Sequence, residues 1–266
     1  MITDNRIDNG KAFDWGRTSQ DYARFRDIYP DEFYRKIHSL GLCTKGQNVL
    51  DLGTGTGVIP RNMYKYGACF TASDISENQI EYAGKLSEQE GMNIKYITAS
   101  AEETIFDDKK FDVITACQCH FYFKHNIIAR NAYEMLNENG RLAFLYMAWL
   151  PFEDNIAHES EKLILKYNPS WTGCNETRHS IFVPEDYNKY FTVSESMIFD
   201  VKVPFTRFSW NGRMKACRGV GASLPQEKIA EFEKEHIEML EKTPQDTFDI
   251  LHYCAITVLQ RRPESL

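Results

Sequence analysis

The chain has 266 residues, 42% hydrophobic and 26% charged, with 31 basic against 38 acidic residues and a formal charge of −7. That composition can bury a core, and scattered basic residues disfavour nucleic acid as a partner, because neutralising a phosphate backbone needs a basic face. Seven cysteines with no C-x-x-C pair give no expectation of a metal site; reduced thiols in a cytoplasm fit their odd number.

Residues 1–16 are polar, with no apolar signal segment, and no stretch approaches the roughly 20 apolar residues of a membrane span, so no membrane partner is expected. The aromatic-rich first 45 residues, with Trp15, Tyr22, Phe25 and Tyr29, are expected to form helices. From there short apolar runs alternate with amphipathic segments, the pattern of a parallel sheet with crossover helices. Gln47 to Leu52 reads as the first strand, entering a glycine turn, and Ile59 to Tyr66 as a helix. Cys69 to Asp74 is the second strand, followed by a helix from Glu77 to Gln89 with Ser76 as its N-cap. Asn93 to Ala99 and Phe111 to Cys117 are the third and fourth strands, the latter apolar enough to be buried on both faces. Ile127 to Leu136 is a helix stopped by Asn137 to Gly140, and Arg141 to Ala148 is the fifth strand. Beyond Trp149 the rhythm breaks at Pro151, Pro169, Gly173 and Pro184, so 149–191 reads as an insertion. A strand over Ser194 to Pro204, helices over Ser209 to Gly221 and Pro225 to Lys242, and a last strand from near Ile250 to Gln260 follow. The expected fold class is α/β: a doubly wound, Rossmann-like, seven-stranded, mostly parallel sheet with helices on both faces.

In such a sheet ligands bind beyond the carboxyl ends of the strands, where strand order reverses. Asp51-Leu52-Gly53-Thr54-Gly55-Thr56-Gly57 sits at the first strand's end, and its glycines permit positive φ and close approach of a ligand to the backbone. Asp74 ends the second strand about twenty residues past Gly53, the offset at which a carboxylate accepts both ribose hydroxyls of a nucleoside. The dinucleotide fingerprint fails in either frame, since it needs Gly or Ala where Val58 or Pro60 stands. Asp51 could instead balance a sulfonium or ammonium, which favours a cationic cofactor over a pyrophosphate.

With these motifs in order, the chain resembles the class I S-adenosylmethionine-dependent methyltransferases. VLDLGTGTG (49–57) is similar to their first motif, TASDIS (71–76) to their ribose-binding acid, and SAEET (100–104) to their adenine-binding turn. FDVITACQCHFYF (111–123) is similar to their fourth strand, and LNENGRLAFLY (136–146) to the fifth and what precedes it. The resemblance implies S-adenosyl-L-methionine as cofactor, leaving S-adenosyl-L-homocysteine. It implies that Gly53, Gly55 and Gly57 cradle the methionine moiety, that Asp74 holds the ribose, that Ile75 covers the adenine face, and that Ala101 and Glu102 meet its edge. Ser100 stands where many relatives carry an adenine-contacting Asp, and Cys117 closes the fourth strand on the same side. The resemblance also implies one methyltransferase domain over 1–266, with a helical lid (1–45), a cofactor-binding core (46–148), a substrate lid (149–191) and completing strands and helices (192–266). Tyr22 and Arg26 of the lid are expected near cofactor or substrate.

The segment Gln118 to Phe123 resembles the trans-aconitate methyltransferase-like branch, but its histidine, His120, is offset by one from that branch's histidine. His120 is therefore carried forward only as a base or a substrate contact in its own right, since histidine titrates near working pH. Gln118, Tyr122, Trp149, Trp210 and Arg213 are candidate substrate contacts for a small molecule, aromatic walls with an arginine suiting a planar or anionic one. The alternative for the tryptophans is anchorage of the insertion, and for Arg178 and Arg218 pairing with nearby acids. Cys117 and Cys119, two apart, would share a face on a strand, as small hydrophobes or as a thiol site. Two other functions stay open at this point: an NAD(P)-dependent oxidoreductase on a similar sheet, and a non-catalytic S-adenosylmethionine-binding protein.

Overall fold

A computed structural model describes residues 3–5, 7–18, 24–25, 29–106 and 110–263. Seven strands, β1 (Asn48–Leu52), β2 (Cys69–Asp74), β3 (Lys95–Thr98), β4 (Phe111–Cys117), β5 (Leu136–Trp149), β6 (Phe191–Thr206) and β7 (Thr247–Arg261), form one sheet in the order β3-β2-β1-β4-β5-β7-β6. The pairs β1 with β2, β1 with β4, β2 with β3 and β4 with β5 are parallel. The last strand runs the other way. Gln260 reaches the Gly140 carbonyl while the Leu150 amide bonds Leu251, and the Arg262 amide bonds Tyr190 while that of Arg207 bonds Asp246, so β7 numbers fall as those of both neighbours rise. The expected doubly wound, mostly parallel sheet is thus the fold, with strand order reversing between β1 and β4.

The chain packs as two compact units, each built from three stretches: Asp31–Met147, His179–Phe199 and Cys254–Leu266 make one, and Met1–Pro30, Ala148–Arg178 and Asp200–Tyr253 the other. In the first, Val49, Leu50, Leu52, Val113, Ile114, Leu142, Phe144 and Leu145 are fully buried, as central parallel strands covered on both faces must be. Helix α1 (Asp31–Ser39) buries Phe33, Tyr34 and Ile37, one stripe of its surface. Helix α2 (Val58–Met63) starts from the glycine turn, and α3 (Glu77–Gln89) is capped by Ser76, whose hydroxyl accepts from the Gln79 amide. Helix α4 (His125–Met135) ends where expected, and strand assignment resumes at once. Yet the register jumps from Phe111 opposite Leu136 to Val113 opposite Arg141, so Asn137 to Gly140 bulge out and regular pairing begins at Arg141, where the sequence placed the strand.

In the second unit, the stretch read only as an insertion holds helix α5 (Asn155–Tyr167). Asp154 caps it by accepting from the Ile156 and Ala157 amides, both at 3.0 Å. Helix α6 (Arg207–Lys215) begins with a Thr206/Ser209 capping box, earlier than expected, and stops at Lys215 instead of running to Gly221. Helix α7 (Gln226–Glu241) buries Ile229, Phe232, His236 and Leu240, one stripe of an otherwise charged helix. No helix among the described residues is long and apolar enough to cross a membrane.

Candidate functional site

The residues singled out between Asp51 and Tyr122 all lie in the first unit, at the carboxyl ends of β1, β2, β3 and β4. Gly53, Gly55 and Gly57 have φ of 65°, 57° and 75°, a left-handed run that side chains with a Cβ resist. Space excludes a Cβ as well. At Gly53 it would lie 2.7 Å from the Cys119 Sγ, and at Gly57 it would collide with the Tyr96 hydroxyl. The turn is tied to the second strand, since the Gly55 amide donates to Asp74 Oδ2 at 2.8 Å and the Ser76 amide to Oδ1 at 2.9 Å. Each Asp74 oxygen therefore keeps lone-pair capacity for a further donor. Burial raises the Asp74 pKa against the pull of the Ser76 and Gly55 amides. Beside it Ile75 is 61% exposed, a large apolar face left in solvent.

Asp51 is 1% exposed and accepts from the Thr115 hydroxyl at 2.6 Å. Burial pushes its carboxyl up to about 7, the Thr115 hydroxyl opposing and the Asp74 charge adding to the rise. Thr115 lay outside the sequence reading; a hydroxyl inside the apolar run FDVITAC was its signal.

Ser100 does not offer a free hydroxyl: it donates to Glu103 Oε2 at 2.7 Å and accepts from the Glu103 amide, closing a local turn. Glu102 accepts from the Lys124 amide at 2.8 Å and its carbonyl from Asn131 Nδ2 at 3.0 Å, which ties this turn to the start of α4. Ala101 lies between them, half-buried.

Strand β4 stops at Cys117 because Gln118 takes φ of 61°. The expectation that Cys117 and Cys119 share a strand face is thereby corrected: the backbone reverses, and Cys119 Sγ donates to the Leu52 carbonyl at 3.1 Å, against the glycine turn. Gln118 turns to the Met147 carbonyl, which its Nε2 meets closely. A short 3-10 turn, His120–Tyr122, follows. His120 is 9% exposed, stacks on Phe144 with ring centroids 5.1 Å apart, and meets Phe121 edge-on. Burial, with His125 and His179 adding, lowers its pKa to about 4. Tyr122 is half-buried, its ring 4.4 Å from that of Phe121.

Trp149, Trp210 and Arg213 lie in the other unit, buried and packed on one another, with the Arg213 guanidinium 5.0 Å from the Trp149 ring centre and the two indoles 5.7 Å apart. Both indole N–H groups are engaged, Trp149 with Glu161 at 2.6 Å and Trp210 with Ser160 at 3.0 Å. Arg178 pairs with Glu153 and Asp200, and Arg218 with Asp8 at 2.9 Å. Tyr22 and Arg26 lie outside the described residues; Phe25 is buried against Phe208 and Gly212.

Residues 49–140 match the family model of a methyltransferase domain. The chain is 33% identical over 102 residues to a ubiquinone biosynthesis O-methyltransferase of Coxiella burnetii, across 38% of this chain and 43% of that one. It is 33% identical over 111 residues to a protein of the same description from Pasteurella multocida, across 37% and 46%. Each match spans less than half the length of the curated relative. In fold it is similar to a phosphoethanolamine N-methyltransferase of Haemonchus contortus in complex with phosphomonomethylethanolamine and S-adenosylhomocysteine, with a TM-score of 0.55 at 15% identity, covering 98% of this chain and 59% of that one. Fold and matched segment together make residues 49–140 a class I S-adenosylmethionine-dependent methyltransferase domain. Over that segment the chain is thus similar in sequence to methyltransferases, its fold is similar to that of one of them, and the dinucleotide fingerprint is absent from its glycine turn.

Proposed function

We propose that the protein is an S-adenosylmethionine-dependent methyltransferase acting on a small molecule, and that the residues around the glycine turn hold the donor. When bound, the cofactor would supply a methyl group already activated on a sulfonium, for in-line transfer to the acceptor atom with the displaced electron pair left on sulfur. The protein's share is alignment and exclusion of water.

The observation that carries this reading is the coupling of the turn to Asp74. The Gly55 amide fixes the Asp74 carboxylate beside a backbone with no Cβ, and each oxygen retains room for a ribose hydroxyl. Ile75, exposed next to it, offers an apolar face to an adenine ring, and the turn at Ser100, Ala101 and Glu102 borders the same strand ends. Because the Ser100 hydroxyl is committed to Glu103, we assign recognition of the adenine edge to backbone groups of this turn. Asp51, buried on β1 just before the glycines, is ionised by the cationic methionine end, whose charge it then balances. We place His120, Gln118 and Tyr122 on the acceptor side, since their loop leaves β4 against the glycine turn. The curated relatives are named as O-methyltransferases, and we take oxygen as the accepting atom.

Titration calorimetry with S-adenosylhomocysteine tests the donor site. Binding to the native protein is expected, and Asp74→Ala should weaken it a hundredfold or more, about two charge-assisted hydrogen bonds. Equal affinity in that variant overturns the ribose assignment.

A further inference from the structure

The His120 ring is asymmetric in its surroundings. Its Nδ1 is sealed from solvent and makes no hydrogen bond. Nε2 is not among the atoms sealed in this way, no described residue hydrogen-bonds it, and the residue keeps 9% of its surface exposed. A neutral imidazole carries one proton, and the position of that proton decides whether Nε2 gives or takes a hydrogen bond. If the proton sat on Nδ1, a donor would be buried without a partner, and orphaned buried N–H groups are rarer in folded proteins than under-satisfied acceptors. With the proton on Nε2, the donor is on the nitrogen that is not sealed, where a partner can satisfy it, and only a lone pair is buried.

A histidine serving as a base needs the opposite arrangement: an Nδ1–H held by a carboxylate or carbonyl, so that Nε2 presents its lone pair. Among the described residues no group holds Nδ1, the groups acting electrostatically on the ring are His125 and His179, and no carboxylate is among them. The ring is also a poor proton acceptor, buried on Phe144 and with its pKa lowered to about 4.

We infer that His120 acts as a hydrogen-bond donor, through Nε2–H, to an anionic oxygen of the methyl acceptor, and that it does not serve as a base. The inference rests on the methyltransferase reading above and deepens it: the acceptor is a small acid, a carboxylate or an acidic phenol, that enters already deprotonated. With no proton on the accepting oxygen, methyl transfer leaves none to be removed. Phe121 and Tyr122, half-buried beside the histidine, suit a flat aromatic acid.

Two measurements test this. In protein carrying 15N-histidine, long-range 1H–15N spectra at pH 7.5 should show His120 as the Nε2–H tautomer; an Nδ1–H tautomer overturns the inference and needs no variant. In the second, benzoate is titrated into the protein saturated with S-adenosylhomocysteine, with benzylamine as the cationic control. The native protein should bind benzoate in preference to benzylamine. His120→Gln, whose amide nitrogen takes the place of Nε2, should keep that affinity within about threefold, while His120→Asn, with its amide nitrogen near the Nδ1 position, and His120→Ala should lose about tenfold to a hundredfold. No preference for benzoate, or equal affinity in His120→Ala, overturns it. S-adenosylhomocysteine affinity, measured in every variant, separates the two readings: its absence in the native protein defeats the donor site, whereas its retention beside an unaltered benzoate affinity defeats the role of His120 alone.

Discussion

Replacing Asp51 by Asn should make the unliganded protein more stable, and increasingly so as pH rises. The carboxyl is carried from an ordinary 3.8 to about 7, roughly three pH units, because its charged form is buried among apolar strands. The unfolded chain ionises this group near pH 4 while the folded one holds its proton until about 7. Folding stability therefore falls as pH rises through that window and levels off above it, for a total of order 4 kcal/mol. Asn cannot ionise, and its carbonyl still accepts from the Thr115 hydroxyl, so any fixed cost of the swap is the same at each pH. Urea denaturation of native protein and Asp51→Asn at pH 5 and pH 8.5 measures the difference. The stability of the variant relative to native should improve by about 2–3 kcal/mol between the two pH values, the part of the window that they span. In the same variant, affinity for S-adenosylmethionine should drop, since the charge that balances the donor is gone. A relative stability that stays constant or worsens with pH would refute a carboxyl held neutral by burial.

Gly53→Ala should cost about 1–3 kcal/mol, the left-handed φ of 65° and the approach to Cys119 acting together, and should weaken S-adenosylhomocysteine binding in calorimetry. Gly57→Ala should be partly rescued by Tyr96→Phe, because the hydroxyl is what a Cβ there meets first; alone, Tyr96→Phe should cost about 1 kcal/mol for its 2.8 Å bond to Ser87, so a double-mutant cycle without favourable coupling would reject the contact. Burial lowers His236 and His252 to about 3 and His120 to about 4, so the unfolded chain takes up these protons first as pH falls below about 6.5. Stability should then drop by up to about 1.4 kcal/mol per pH unit for each histidine, offset by one such increment from Asp51, and denaturation midpoints that do not fall between pH 6.5 and 5 would contradict neutral buried rings.

Most of the sheet was legible because the central parallel strands carry short apolar runs, a signal that survives without tertiary context. Phe111–Cys117 is bounded by a lysine on one side and a left-handed Gln118 on the other. Even Asn137 to Gly140, read as a stop, is a local fact, since those residues bulge from the ladder they are formally part of. Helix α5 escaped because its apolar face is discontinuous in sequence: Ser160 and Glu161 are buried there as partners of His236 and Trp149, and a polar residue in a helix's buried stripe reads from sequence as surface.

The donor side of the site was legible for a similar reason. Glycines must be glycines where φ is left-handed and a neighbour fills the place of a Cβ, and an acid must end the next strand if a ribose is to be held, so the chemistry is written in residue type and spacing. The acceptor side is written in partners. Whether His120 gives or takes a hydrogen bond depends on what lies at Nδ1, and nothing in the string QCHFYF tells a sealed nitrogen from a held one. In a typical catalytic histidine that nitrogen meets a carboxylate; here it meets none, and the same residue type acquires the opposite role. A protein that aligns an already anionic oxygen with an already activated methyl group has no proton to move in the transfer step. A neutral ring of low basicity is then an asset, because at neutral pH it holds its donor in place without competing for the acceptor's charge.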